Sequence, residues 1–238
     1  MTTIVAISDT HGQHRRLEIP AADILIHCGD ITPKGEMNVA LDFISWLQGL
    51  DQVNHKVFIA GNHDFCFQRG DHTALARAIE AGYLYGVRYL DNSSIRLDEL
   101  IIHGTPWTPF FYDWAFNGLE TSPDEGYGYQ GGPGHNATED GEHPLLSDVY
   151  SQIPPKTNII VCHGPPRIDG MDTTSRGNRV GSYELLKRLS ALTQLKAGFY
   201  GHIHESFGST MRDGVLHSNV CSLHRDYTTI RQPIPFEI

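Results

Sequence analysis

The chain has 238 residues, 39% hydrophobic and 19% charged, a composition that fills a large core and excludes an extensively disordered chain. Its 18 Lys and Arg against 28 Asp and Glu give a formal charge of −10 with no basic block, so no stable nucleic-acid partner is expected. No stretch approaches the roughly 18 apolar residues of a membrane span, so no membrane association is expected either.

Along the chain, Ile4 to Ile7 is a short β-branched run bounded by turn residues and predicts a buried strand. Ile24 to His27 and Val57 to Ala60 read the same way. Between them, Met37, Ala40, Leu41, Ile44 and Leu47 keep helical spacing over 36–48, and Gly49 offers a stop. Leu75 and Ile79 stand one turn apart in a helix over 73–81 that Gly82 follows. Ile95 to Leu97 and Leu100 to Ile102 are further strands. Residues 118–144 lose all periodicity and are dominated by Gly, Pro, Asp and Glu, which predicts a long surface loop. That loop holds Gly126-Tyr-Gly128-Tyr-Gln-Gly131, but no strand precedes this glycine pattern and no helix follows, so it does not read as a dinucleotide site. Ile159 to Cys162 and Gly198 to Tyr200 are strands on either side of a leucine-striped helix over 182–192. Runs at 207–211 and 214–217 form a hairpin around Asp213-Gly214. Strand–helix alternation followed by β-rich pairing predicts a layered α/β architecture in one domain over 1–238.

Cys28, Cys66, Cys162 and Cys221 form no CxxC pair and are expected as reduced, buried thiols. The short N-terminal apolar run has no basic leader, so a cytoplasmic location is expected.

The 14 His point to chemistry, because imidazole is the commonest metal ligand. The first strand ends at Ser8-Asp9-Thr10-His11-Gly12, the second at Cys28-Gly29-Asp30 and the third at Gly61-Asn62-His63-Asp64. Two later strands end at His163-Gly164 and Gly201-His202-Ile203-His204. Ligand sites of layered α/β sheets lie beyond the carboxyl ends of the strands, so these tips are expected to converge. Asp9 and His11 are two residues apart, as are His202 and His204, and such pairs on extended chain point the same way. A single strand-end His or Asp is more often a cap or a solvated group. Five successive tips that each pair such a residue with Gly are not explained by caps. The candidate metal ligands are Asp9, His11, Asp30, Asn62, His163, His202 and His204. One ion takes about four to six ligands, so this set is generous for one and suits two if Asp30 bridges. Oxygen and nitrogen donors without thiolate fit manganese, iron, zinc, cobalt or nickel.

These blocks, in this order over residues 9–204, resemble the calcineurin-like metallophosphoesterase superfamily. His103-Gly-Thr-Pro-Trp107, Trp114-Ala-Phe-Asn117, His163-Gly-Pro-Pro166 and the tail from Asn219 to Phe236 resemble its small metallophosphoesterase-domain branch, which acts on phosphodiesters including cyclic nucleotides. The resemblance implies a four-layer α-β-β-α sandwich of two mixed sheets, with residues at about 118–144 as an insertion. It implies two divalent or trivalent transition metal ions. Asp9, His11, Asp30 and His204 would hold one, and Asp30, Asn62, His163 and His202 the other. It also shows Asp64 where many relatives carry Glu.

The expected reaction is in-line hydrolysis of a small-molecule phosphodiester by hydroxide held between the ions. Asn62 and His63 are expected to contact substrate, with His63 protonating the leaving oxygen and Asp64 orienting His63 as its catalytic partner. The aromatics Trp107, Phe110, Phe111, Tyr112 and Trp114 are read first as core and lid, second as a stacking wall. Arg176 and Arg179 are candidate phosphate ligands with a solvated role as the equal alternative, and His103 is left outside the ligand set. A phosphomonoesterase or phosphoprotein phosphatase with the same centre is the alternative activity. A non-catalytic scaffold would show eroded ligands, and none is missing. Assembly is left open, with a homodimer as one option.

Overall fold

The computed structural model describes residues 1–69, 72–121 and 143–238. In chain order the elements are β1 (Thr3–Ile7), β2 (Ala22–Cys28), α1 (Met37–Gln48), β3 (Val53–Ile59), α2 (Phe65–Gln68), α3 (Thr73–Gly82), β4 (Val87–Tyr89), β5 (Ser93–Leu97) and β6 (Leu100–Thr105). There follow β7 (Thr108–Pro109), β8 (Asn117–Gly118), α4 (Leu146–Ser151), β9 (Ile159–Cys162), α5 (Tyr183–Ser190), β10 (Ala197–Tyr200), β11 (Gly208–Arg212), β12 (Val215–Asn219) and β13 (Pro235–Glu237).

Two mixed sheets result. One has the order β13-β1-β2-β3-β4, the other β11-β12-β10-β9-β6-β5. β1 through β4 run parallel, and helical crossovers join β2 to β3 and β3 to β4, because parallel neighbours cannot be linked by a tight turn. In the second sheet β6, β9, β10 and β12 are parallel, flanked by antiparallel β5 and β11.

The layers follow from strand alternation. Ile4, Ile24, Ile26, Val57 and Ile59 of the first sheet pack on Ile102, Ile159, Val161 and Phe199 of the second. The opposite face of the first sheet, through Val5, Ile7, Leu25 and Phe58, meets Ala40, Phe43, Ile44 and Leu47 of α1 and Leu75 of α3. The opposite face of the second, through Ile160, Cys162 and Tyr200, meets α4 and α5. Strands buried on both faces read as continuous apolar runs rather than alternating ones. This is the four-layer α-β-β-α sandwich. At α5, Ser182 Oγ accepts from Leu185 N at 3.0 Å, and Glu184 and Lys187 sit at the ends that suit their charges.

The predicted elements recur with ends shifted by a few residues, several strands being longer and the helices at 36–48 and 182–192 shorter than predicted, and Asp213 and Gly214 turn the β11–β12 hairpin with φ of 51° and 81°. The stretch read as one loop over 118–144 is different at its borders. Gly118 is buried in β8, and Leu119 N donates to Pro144 O while Leu146 N donates to Leu119 O. The glycine pattern at 126–131 lies outside the described residues. All four cysteines are free and buried. Among the described residues, no helix is long and apolar enough to cross a membrane.

Candidate metal centre

The carboxyl ends of β1, β2, β3, β9 and β10 lie together, and the loops leaving them meet over Asp30. Close approach is built into the glycines: a Cβ on Gly61 would fall on the Asp30 backbone nitrogen, and one on Gly201 on Asp9 and Ser8. Asp9, His11, Asp30 and His202 take left-handed φ of 53°, 42°, 56° and 69°. That conformation costs a non-glycine residue free energy, and it persists only where surrounding contacts fix it. His202 N donates to Asp9 Oδ1 and Oδ2 at 3.1 and 3.0 Å, and His63 N donates to Asp30 Oδ1 at 2.8 Å.

The side chains converge as the strand-end pattern predicts. Donor atoms of Asp9, His11 and His204 lie within 4.8 Å of one another, as do those of Asp9, Asp30 and His163. His204 Nε2 is 3.3 Å from Asp9 Oδ1, His11 Nε2 is 3.7 Å from Asp30 Oδ2, and His163 Nε2 is 3.4 Å from Asp30 Oδ1. His163 Nε2 and His202 Nδ1 both face Asn62 Oδ1 at 2.8 Å. His11, His163 and His204 turn Nδ1 to the carbonyls of Thr32, Cys28 and His224 at 3.3, 2.8 and 3.4 Å. A carbonyl only accepts, so in the neutral rings Nδ1 carries the hydrogen and Nε2 presents its lone pair inward.

Asp9 is fully buried and Asp30 nearly so, which by itself would raise both pKa values. The imidazoles around them outweigh burial: His204, His163 and His11 hold Asp9 well below its usual range, and His163, His63 and His11 do so for Asp30. Conversely, burial disfavours the charge on His163, but Asp30 and Asp9 outweigh it and lift its pKa to about 9. Burial and the His163 charge push His202 down to about 4. Two buried carboxylates thus demand positive charge between them. His11 Nε2 is buried without a hydrogen-bond partner. An orphaned inward nitrogen beside buried anions fits a cation.

His63 stands at the edge of the cluster, with Nε2 3.9 Å from Asp30 Oδ2, and its donor atom groups with those of His11 and Asp30. The expected partnership with Asp64 is not formed. Asp64 is fully buried and its carboxylate accepts from Ile31 N, Thr32 N, Thr32 Oγ1 and Gly61 N at 2.8–3.0 Å. The Pro33 carbonyl, 2.6 Å from Nδ1, orients His63 instead. Three backbone N–H groups with no other acceptor capture the short carboxylate, so Asp64 fastens the Asp30 loop to the Asn62 loop.

Other candidates sort by location. Arg179 is held by Asp172 at 2.6 Å and by Asp169, which leaves the phosphate reading to the exposed Arg176. His103 is buried on β6 against Ser94 Oγ at 2.8 Å. Trp107 packs into the core, whereas Trp114 stacks on His63 with centroids 4.2 Å apart, and Phe111 and Tyr112 are exposed. Tyr227, in a C-terminal loop without periodicity, lies 5.0 Å from His11 and 4.9 Å from His204 between ring centroids, and no sequence signal marks it.

Human metallophosphoesterase domain-containing protein 1 is 29% identical over 261 residues, covering all of this chain and 71% of that protein. The protein T07D4.2 of Caenorhabditis elegans is 28% identical over 258 residues, covering 98% of this chain and 59% of its own. The crystal structure of phosphopantetheinyl hydrolase from Mycobacterium tuberculosis superposes with a TM-score of 0.57 at 14% identity, covering 94% of this chain and 90% of that one, and so shares the fold. The family model for calcineurin-like phosphoesterases matches residues 2–206, which include every candidate ligand. The chain belongs to the calcineurin-like phosphoesterase family.

Proposed function

We propose that the protein hydrolyses phosphodiesters, cyclic nucleotides among them, at a two-cation centre. The observation that carries this reading is the meeting of donors from five strand ends around Asp30, whose two oxygens face His163 and His11. Asp9, His11, Asp30 and His204 are assigned to one ion, and Asp30, Asn62, His163 and His202 to the other. The mixed oxygen and nitrogen donors suit manganese, iron, zinc, cobalt or nickel.

When bound, two such cations supply Lewis acidity toward a phosphoryl oxygen and a water ionised near neutral pH. The protein's own groups do the rest. Carbonyl contacts from Thr32, Cys28 and His224 hold three imidazoles with Nε2 inward. Asn62 and His63 face the substrate. The Pro33 carbonyl accepts from His63 Nδ1–H, so in its imidazolium form the ring has Nε2–H free to give its proton to the departing oxygen and returns to the neutral Nδ1–H form. A diester carries a single negative charge, and the engagement of Arg179 by carboxylates supports a diester over a more highly charged monoester.

The test is hydrolysis of bis-p-nitrophenyl phosphate and p-nitrophenyl phosphate by chelated protein before and after Mn²⁺ addition. Mn²⁺-dependent turnover with higher kcat/KM on the diester is expected. A monoester preference transfers the assignment to a phosphatase, and no turnover with any transition metal overturns it in favour of a binding scaffold.

A further inference from the structure

A row of rings borders the centre. Trp114 stacks on His63 at 4.2 Å, His63 meets His11 at 4.7 Å, and His11 meets Tyr227 at 5.0 Å. The two histidines assigned to the first ion, His11 and His204, are 7% and 6% exposed, whereas Tyr227 is 46% exposed. One side of the tyrosine ring therefore covers both imidazoles and another faces solvent.

The chain spends considerable structure on that placement. Tyr227 takes a left-handed φ of 57°. Its nitrogen donates to His224 O at 2.9 Å and its carbonyl accepts from Gln13 Nε2 at 2.9 Å. Asp226 Oδ1 accepts from Thr228 N and Thr229 N at 3.0 and 2.9 Å, and Oδ2 accepts from Thr229 Oγ1 at 2.7 Å. Arg231 fastens the base of the loop through Cys221 O and Leu223 O at 3.0 and 2.7 Å. The same loop gives His224 O to His204 Nδ1. A strained aromatic residue held by side chains from both ends of the protein is a functional arrangement rather than a free loop. A half-exposed ring beside the imidazoles of His11 and His204 offers a flat apolar surface at the edge of the candidate centre.

We infer that Tyr227 is a specificity-determining residue, the wall on which the organic group of the phosphoester packs, and that it favours flat aromatic or heteroaromatic groups over alkyl ones. This rests on the phosphoesterase reading. A purely structural roof over His11 and His204 would instead affect all ligands alike.

Calorimetry on Mn²⁺-reconstituted protein, with phenylphosphonate and methylphosphonate as probes, separates the two. Wild type should bind phenylphosphonate about 3- to 10-fold more tightly, the range of one aromatic contact. Tyr227→Leu should erase that preference while leaving methylphosphonate affinity and metal content unchanged. Tyr227→Phe should keep it. With bis-p-nitrophenyl phosphate, Tyr227→Leu should raise KM by a similar factor with kcat within about threefold. An unchanged preference in Tyr227→Leu, or equal weakening of both phosphonates, overturns the inference while wild-type diester turnover leaves the activity standing. If wild type neither turns over any ester nor binds either phosphonate, both fall. Tyr227→Phe reports on the ring alone should the leucine variant fold poorly.

Discussion

His163 and His202, from the ends of neighbouring strands, direct one ring nitrogen each at the same atom, Asn62 Oδ1, at 2.8 Å. An amide oxygen has two lone pairs and no proton to give, so in the absence of a cation both imidazoles must donate to it. In the proposed centre the same three atoms would be ligands of one cation. Asn62→Ala is therefore expected to lower bound metal by about one ion per chain relative to wild type. Elemental analysis after dialysis measures this, and an unchanged metal content would remove Asn62 from the ligand set.

His63 is distinguished from its neighbours by its outer position and by the Pro33 carbonyl on Nδ1. As a proton donor to the leaving oxygen it is worth roughly 10²–10⁴-fold in rate. His63→Ala should lower kcat by that factor with full metal content. The loss should shrink for a diester whose leaving group is a weak base, because such a group departs without a proton. Loss of an ion in this variant would instead identify His63 as a ligand, which its 3.9 Å approach to Asp30 makes a sharp alternative.

The candidate centre was legible in the sequence because it is built from strand ends, where a glycine next to a metal-competent residue leaves a local mark. Asp9, Asp30, Asn62, His163 and His202 each lie within three residues of such an end. The pairing of strands was not legible. β13 is a three-residue strand that begins with Pro235 and pairs antiparallel with β1, joining the two ends of the chain. Its proline is tolerated only because the strand lies at an edge. β4 is equally short and is held through Lys56, Val57 and Phe58 of β3. Two sheets stacked face to face depend on such distant pairings, so resemblance rather than periodicity pointed to the sandwich. Adjacency in sequence also misled at His63 and Asp64, where the carboxylate turns to backbone N–H groups and the imidazole to a carbonyl. Tyr227 reaches the site through a loop whose geometry depends on Gln13 and Arg231, contacts no local pattern reveals.

Asp64 ties two ligand-bearing loops together, and its role is separable from catalysis. Burial and the Asp30 charge push its carboxyl up to about 6, and the N–H groups of Ile31, Thr32 and Gly61 pull against that shift. Asp64→Ala strands those donors in a dry interior at about 1–3 kcal/mol each, so a loss of about 3–5 kcal/mol in unfolding free energy is expected. Asp64→Asn keeps one acceptor and should lose less. Because it aligns Asp30 and Asn62, it should still weaken metal binding by roughly 10–100-fold. Urea titration and metal competition measure the two effects. A large fall in kcat with stability and metal affinity intact would return Asp64 to the catalytic set.

Stability should fall in mild acid for reasons remote from the metal centre. His103 and His217 are buried on the second sheet, against Ser94 Oγ and the Tyr200 hydroxyl. Burial, with help from the nearby Arg188 and Arg212 charges, depresses each pKa from 6.5 to about 4. Between those values the unfolded chain binds protons that the folded chain refuses, so unfolding takes up protons and stability rises with pH. The contribution is full above 6.5 and is lost as pH falls toward 4. Each histidine adds a slope of up to about 1.4 kcal/mol per pH unit in that window. Chelated wild type, His103→Asn and His217→Asn, unfolded in urea at several pH values from 7 to 4.5, test this. Each substitution should flatten the curve by up to that amount per unit. A wild-type slope that survives both substitutions would mean that these two rings titrate near 6.5 in the folded protein and that the acid sensitivity originates elsewhere.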